Sequence, residues 1–142
     1  MIKGIQKFTM VDYPGKIACT LFIGGCNFRC GYCYNSDLVF NINKTPTISQ
    51  KEVLEFLEER KNYLEGVCIT GGEPTLWKGL IPFILKIKNI GYAVKLDTNG
   101  SRPEALRKII EESIVDYISM DIKASLGSYE KVIGVPLNAE KI

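Results

Sequence analysis

Three cysteines fall within eight residues, Cys26-Asn27-Phe28-Arg29-Cys30-Gly31-Tyr32-Cys33, at the spacing C-x3-C-x2-C. A loop this short can bring three thiolates to one face of a metal centre. Cubane iron–sulfur clusters contain four irons and usually take four thiolates, so a local set of three leaves one iron without a protein ligand. Substrate chemistry can happen at that vacant corner.

Other readings stay open on spacing alone. A zinc site wants four Cys or His ligands, and the chain has no histidine, so it would have to recruit Cys19 or Cys68. Both sit in apolar runs that read as strands, Ala18-Cys19-Thr20-Leu21 and Val67-Cys68-Ile69, where a free cysteine is ordinarily a small buried hydrophobe. A disulfide framework fits poorly, because five cysteines is an odd number and no secretory signal is evident. The spacing favours the three-thiolate site over zinc, and zinc over disulfides.

The length predicts one domain, and 46% hydrophobic residues suffice for a real core. Eighteen basic against 16 acidic residues give a formal charge of +2, which is no footprint for nucleic acid. The longest apolar run, Leu80 to Ile90, is broken by Pro82, Lys86 and Lys88, so no membrane span is expected. The cytoplasm is the expected address.

Residues 1–16 form a lead-in, with a stretch from Ile2 to Phe8 expected to run antiparallel and a Pro14-Gly15 turn. Ile17 to Ile23 reads as a buried strand, and the cysteine loop leaves from its end. Ser49-x-x-Glu52 is a capping box for a first helix with Val53, Leu54, Leu57 and Leu64 in helical register. Gly66 to Thr70 is a second strand. A second helix follows, carrying Pro82 near its start and ending at Gly91 as C-cap. Tyr92 to Leu96 is a third strand, after which Ser101-x-x-Glu104 is expected to cap a third helix. Val115 to Ile122 is a fourth strand, and Ser128 to Ile133 a last short helix stopped by Gly134 and Pro136.

Strands alternating with helices demand right-handed βαβ crossovers and a parallel sheet. The predicted class is therefore α/β, with about four parallel βα units over residues 17–142 forming a partial, incomplete TIM-like barrel. Four polar segments then share one register: Cys26 to Cys33, Gly71 to Thr75, Asp97 to Gly100 and Asp121 to Lys123 each follow a strand's carboxyl end, the edge where such sheets bind ligands. Alone, Gly71-Gly72 is equally a tight turn, Asp97-Thr98-Asn99-Gly100 an Asx turn entering a helix, and Lys123 a solvated lysine.

The cysteine loop, with aromatic Tyr32 just before Cys33, resembles the cluster loop of radical S-adenosylmethionine enzymes. Together with Asp12-Tyr13-Pro14-Gly15-Lys16, Gly71-Gly72-Glu73-Pro74, Asp97 to Gly100 and Asp121 to Lys123, it makes the chain similar to the glycyl-radical-enzyme activases almost from end to end. The resemblance implies a [4Fe-4S] cluster on Cys26, Cys30 and Cys33, with S-adenosylmethionine chelated to the open iron. It implies backbone contacts to that cofactor from Gly71 and Gly72, with Glu73 shaping the loop. It places Tyr32 near the adenine and Asn35 near the ribose or methionine part. Asp97, Thr98 and Asp121 would hold the carboxylate end, together with a monovalent cation, and Lys123 would offer a positive charge. Phe28 would pack over the cluster, while Arg29 is either a surface contact or a counter-charge.

The implied partners are a glycyl radical enzyme, foremost anaerobic ribonucleotide reductase, and a reductant such as flavodoxin or ferredoxin. No side chain is implied as acid, base or nucleophile. Two other functions remain: a radical enzyme acting on a small molecule, and a non-catalytic iron–sulfur or metal-binding module. A closed barrel needs eight βα units and roughly 250 residues, the activases resembled here carry about six units, and this chain offers four. A chain shortened at its C-terminal end is therefore expected, with the fourth strand an exposed edge open to homodimer formation.

Overall fold

The computed structural model describes residues 1–142, the side chain of Lys141 excepted. Strand β1 (Ile2–Thr9) pairs antiparallel with β2 (Ala18–Ile23), and β2, β3 (Gly66–Gly71), β4 (Ala93–Thr98) and β5 (Tyr117–Met120) then run parallel in the order of the chain. The sheet is open, in keeping with an incomplete barrel. Each parallel neighbour is reached by a helical crossover. Helix α1 (Ser36–Phe40) and helix α2 (Gln50–Arg60) lie between β2 and β3, α3 (Leu80–Ile90) between β3 and β4, and α4 (Pro103–Glu111) between β4 and β5. A short α5 (Tyr129–Ile133) follows β5.

Side chains alternate between the two faces of a strand, and the faces differ sharply here. Leu21, Ile23, Val67, Ile69, Val94 and Leu96 point to the helices. They are fully buried against Val53 and Leu57 of α2, Phe83, Ile84 and Ile87 of α3, and Ile109 of α4. At ~25 cal/mol per Å² of apolar surface, this face supplies most of the stabilising burial. The opposite face carries small and polar residues in register, among them Thr20, Cys68 and Lys95. At its lower end the Tyr13 ring fills the space left by Gly66, where an added Cβ would fall 2.8 Å from Tyr13 Cδ1. The expected Pro14-Gly15 turn closes there, with Lys16 N–H donating to Tyr13 O at 3.2 Å.

Local signals explain most boundaries. Ser49 caps α2 by accepting from Glu52 N–H at 3.1 Å, Pro82 sits in the first turn of α3, and Gly91 ends that helix in the left-handed region at φ 112°. The short α1 was not expected from the sequence. Ser101 does not cap α4, as the sequence pattern suggested. Arg102 occupies that position ahead of Pro103, and Ser101 is drawn away to the cysteine loop. Strand β5 is shorter than the apolar run suggested, and among the described residues it pairs with β4 alone. Among the described residues, no helix is long and apolar enough to cross a membrane.

Asp116 ties three elements together just before β5. It accepts from Lys88 Nζ of α3 and from Val94 N–H of β4, each at 2.7 Å. Burial works against its charge, but these two donors outweigh it and hold the carboxyl below its usual range. A carboxyl with a lowered folded-state pKa stabilises the fold above its unfolded pKa, and that stability is lost as pH falls through the folded value. Asp116→Asn should therefore weaken the fold at neutral pH and flatten the loss of urea resistance between about pH 5 and about pH 2. Equal acid sensitivity in the two proteins would contradict this role.

Candidate functional site

The cysteine loop leaves β2 through Gly24 and Gly25 and is fastened on several sides. Arg29 donates from Nη1 to Cys26 O and Phe28 O, both at 2.7 Å, and its guanidinium lies 5.7 Å from the centre of the Phe40 ring. Its backbone N–H donates to Ile133 O at 2.7 Å. Arg29 is thus a fastener of the loop. Phe28 and Cys30 join Tyr129 and Ile133 of α5 in a small second core, with Cys26 and Cys33 packed against it. Helix α5 therefore backs the loop.

Cys26, Cys30 and Cys33 line one open-mouthed cavity of about 220 Å³ at the carboxyl edge of the sheet. Eight of the nine residues expected around a cofactor line it too: Tyr32 and Asn35 from the loop, Gly71 and Gly72 after β3, Asp97 and Thr98 at the end of β4, Asp121 and Lys123 after β5. Burial pushes the Cys26 and Cys30 thiols up, opposed at Cys26 by the Phe28 N–H and at Cys30 by the charge of Lys123. Among the described residues, no three Cys, Asp or Glu side chains converge closely enough to hold a single metal ion. Three cysteines of one short loop lining one cavity are the donor set that a cubane cluster with one open iron would take.

Glu73, the ninth, is fully buried. Its Oε1 accepts from Thr75 N–H (3.1 Å), Thr75 Oγ1 (2.5 Å) and Thr98 Oγ1 (2.8 Å), while Oε2 accepts from Asn99 N–H at 2.7 Å. Four donors leave it little capacity for a ligand. It shapes its own loop, as expected, and locks that loop to the one after β4.

The glycines before it also serve the scaffold. Gly71 has φ +117°, and a Cβ there would collide with the backbone of Ile23. A Cβ on Gly72 would fall on the carbonyl of Gly25. These close approaches let Gly72 N–H donate to Ile23 O (2.8 Å) and Glu73 N–H to Gly25 O (2.7 Å), prolonging the pairing of β2 and β3 beyond the strands. Gly71 O accepts from Asn35 Nδ2 at 3.1 Å, so Asn35 pins the end of the cysteine loop.

The acids of the cavity come with their own bases. Asp97 Oδ1 is paired with Lys95, and Asp97 Oδ2 accepts from the Cys68 thiol at 3.5 Å. Asp121 pairs with Lys123 at 2.7 Å. Cys68 is therefore more than a buried hydrophobe; burial first and Asp97 second push its thiol up to about 12.

Sequence reasoning missed the contacts of Asn99, Asn27 and Ser101. Asn99 Nδ2 reaches Cys26 Sγ (3.7 Å) and Asn27 Oδ1 (3.1 Å), Asn27 Nδ2 donates to Ser101 Oγ (2.8 Å), and Asn99 Oδ1 accepts from Ser101 N–H at 2.9 Å. That last bond is the Asx turn that the sequence allowed. The cross-loop bonds had no local signal. Gly72→Ala should cost about 1–3 kcal/mol by overpacking. Gly31→Ala, in the same cavity region but with open space around its Cβ, should change stability by less than about 0.5 kcal/mol. Equal urea midpoints for the two variants would contradict the close approach.

Residues 20–142 match the family model described as Radical SAM superfamily. A Methanocaldococcus jannaschii protein named as a glycyl-radical enzyme activating enzyme is 31% identical over 144 residues, covering 100% of this chain and 58% of its own length. A second protein so named from that organism is 36% identical over 107 residues, covering 74% of the chain and 39% of itself. The chain thus spans about 58% of the length of the first relative and less of the second. The crystal structure of Streptococcus suis SuiB superposes with a TM-score of 0.55 at 20% identity, over 82% of this chain and 26% of that one, and so shares the fold. By the family model matched over residues 20–142 and by a relative aligned along its whole length, the chain belongs to the radical S-adenosylmethionine superfamily.

Proposed function

We propose that this chain is an activase that uses a [4Fe-4S] cluster and S-adenosylmethionine to generate a glycyl radical on a partner enzyme. The observation that carries this reading is the single cavity shared by three cysteines and the segments ending β3, β4 and β5, in a chain whose relatives are named for glycyl-radical enzyme activation. Anaerobic ribonucleotide reductase is the partner to which the sequence resemblance points. An anaerobic cytoplasm and a flavodoxin or ferredoxin as reductant belong to the same reading.

Cys26, Cys30 and Cys33 would hold the cluster. When bound, such a cluster would supply the electron for reductive cleavage of S-adenosylmethionine, the chemistry that removing a hydrogen atom from the partner's glycine requires. The chain's own residues position and shield. Tyr32, exposed at the cavity, offers its ring to the adenine. Gly71 O, with one bond from Asn35, keeps a second lone pair for the cofactor's ammonium. Thr98 is held by Glu73 and keeps the β4 end in place. Phe28 walls off water behind the thiols. Lys123 lines the cavity and offers a compact cation to a carboxylate. The implied monovalent cation at Asp97 and Asp121 lacks this support, because both carboxylates already hold a lysine.

Protein reconstituted anaerobically with iron and sulfide, given reductant and S-adenosylmethionine, should release 5′-deoxyadenosine, and Cys26→Ala, Cys30→Ala or Cys33→Ala should abolish release. With anaerobic ribonucleotide reductase added, paramagnetic resonance should detect an organic radical on the partner. Release without any partner radical would favour small-molecule chemistry. No release from protein that holds its cluster would overturn the enzymatic reading. Sedimentation of the same samples reports whether copies pair through the exposed β5 edge.

A further inference from the structure

The floor of the cavity is neutralised from within the chain. Lys95 and Asp97 are two apart on β4 and so share a face, and the Lys95 side chain is only 8% exposed. Its ammonium is surrounded: Asp97 Oδ1 accepts from it, Cys68 Sγ lies at 3.8 Å, and the Tyr117 ring centre lies 6.0 Å away. A lysine has three donors and no acceptor, and two of the three are taken here by Asp97 and Cys68. Asp97 engages both of its oxygens, because the second accepts the Cys68 S–H. Across the cavity, Lys123 closes on Asp121 at 2.7 Å with its side chain 20% exposed. Burial opposes the charge of both lysines, yet their carboxylate partners outweigh it and hold both ammonium groups above the ordinary value. The remaining acid of the region, Glu73, faces away into four hydrogen bonds.

We propose that Lys95 and Lys123 supply, as built-in ammonium groups, the positive charge the two cavity aspartates require, so that S-adenosylmethionine binds without an alkali cation. Lys95 is a positioning residue: it holds Asp97 at the cavity without touching the ligand. At each aspartate a bound metal cation would have to compete with an internal ion pair. Lys123, which lines the cavity, is the member that a ligand carboxylate can reach. This inference rests on the cofactor reading above.

The test is S-adenosylmethionine affinity, measured by calorimetry and by the perturbation of the cluster's paramagnetic spectrum, in potassium, sodium or tetramethylammonium chloride at one ionic strength. Tetramethylammonium is too bulky to be chelated by two carboxylates. The unchanged protein should bind within about twofold in all three salts, and Lys95→Met should bind about tenfold more weakly in tetramethylammonium than in potassium. Recovery by a small cation is an effect that a merely structural defect would not show, and Lys95→Arg should restore salt-independent binding should Lys95→Met fail to fold. A loss of about tenfold or more in the unchanged protein on removing alkali cations, or a Lys95→Met protein indifferent to salt, would overturn the inference. No binding in any salt by protein that holds its cluster would instead overturn the cofactor reading itself.

Discussion

The carboxyl edge of the sheet depends on one buried acid. Glu73 lies where β3 gives way to its loop, and its two oxygens take four donors drawn from its own turn and from the end of β4. Such a group is stabilising only while every partner is present, because a buried polar atom left unmatched costs about 1–3 kcal/mol. The consequence is geometric. With Glu73 in place, Thr98 and the Asn99 backbone are fixed relative to Gly71 and Gly72, and Asn99 passes that constraint on to Cys26 and Asn27. The loop that carries the cysteines is thereby tied to two strand ends it does not follow in sequence.

Around that clamp the two faces of the sheet divide the work. The helix-covered face is apolar and fully buried, and it fixes strand order and register. The other face trades packing for chemistry, setting Thr20, Cys68 and Lys95 side by side beneath the cavity. Thr20 in turn donates to Asp12 at 2.5 Å, and Tyr13 closes the bottom against Tyr117. The Asp12-Tyr13 turn thus lies far from the cysteines in sequence but belongs to the same inner layer.

Much of this was legible in the residues. Strand and helix alternation, the Ser49 cap, the Gly91 stop and the common register of four polar segments all rest on local rules, and local rules hold where the chain need only satisfy its neighbours. Contacts across the fold were not legible. Ser101 carries a capping signature, but the amide of Asn27 competes for it and takes it from the helix. Gly71 and Gly72 suggest a backbone opened to a ligand; their missing side chains are first needed so that β3 can close on Ile23 and Gly25. The acids Asp97 and Asp121 looked free for a cation because pairing two residues along a strand or loop cannot be read without knowing which side chains are buried beside them.

In the proposed function, Cys26, Cys30 and Cys33 hold a cluster with one iron left for the cofactor. Mössbauer spectroscopy of reconstituted protein, in which a single labile iron has been exchanged for the active isotope, tests it most directly. One exchangeable iron whose signal shifts on adding S-adenosylmethionine is the expected result. A cluster with no exchangeable iron, or one whose exchanged iron ignores S-adenosylmethionine, would contradict it.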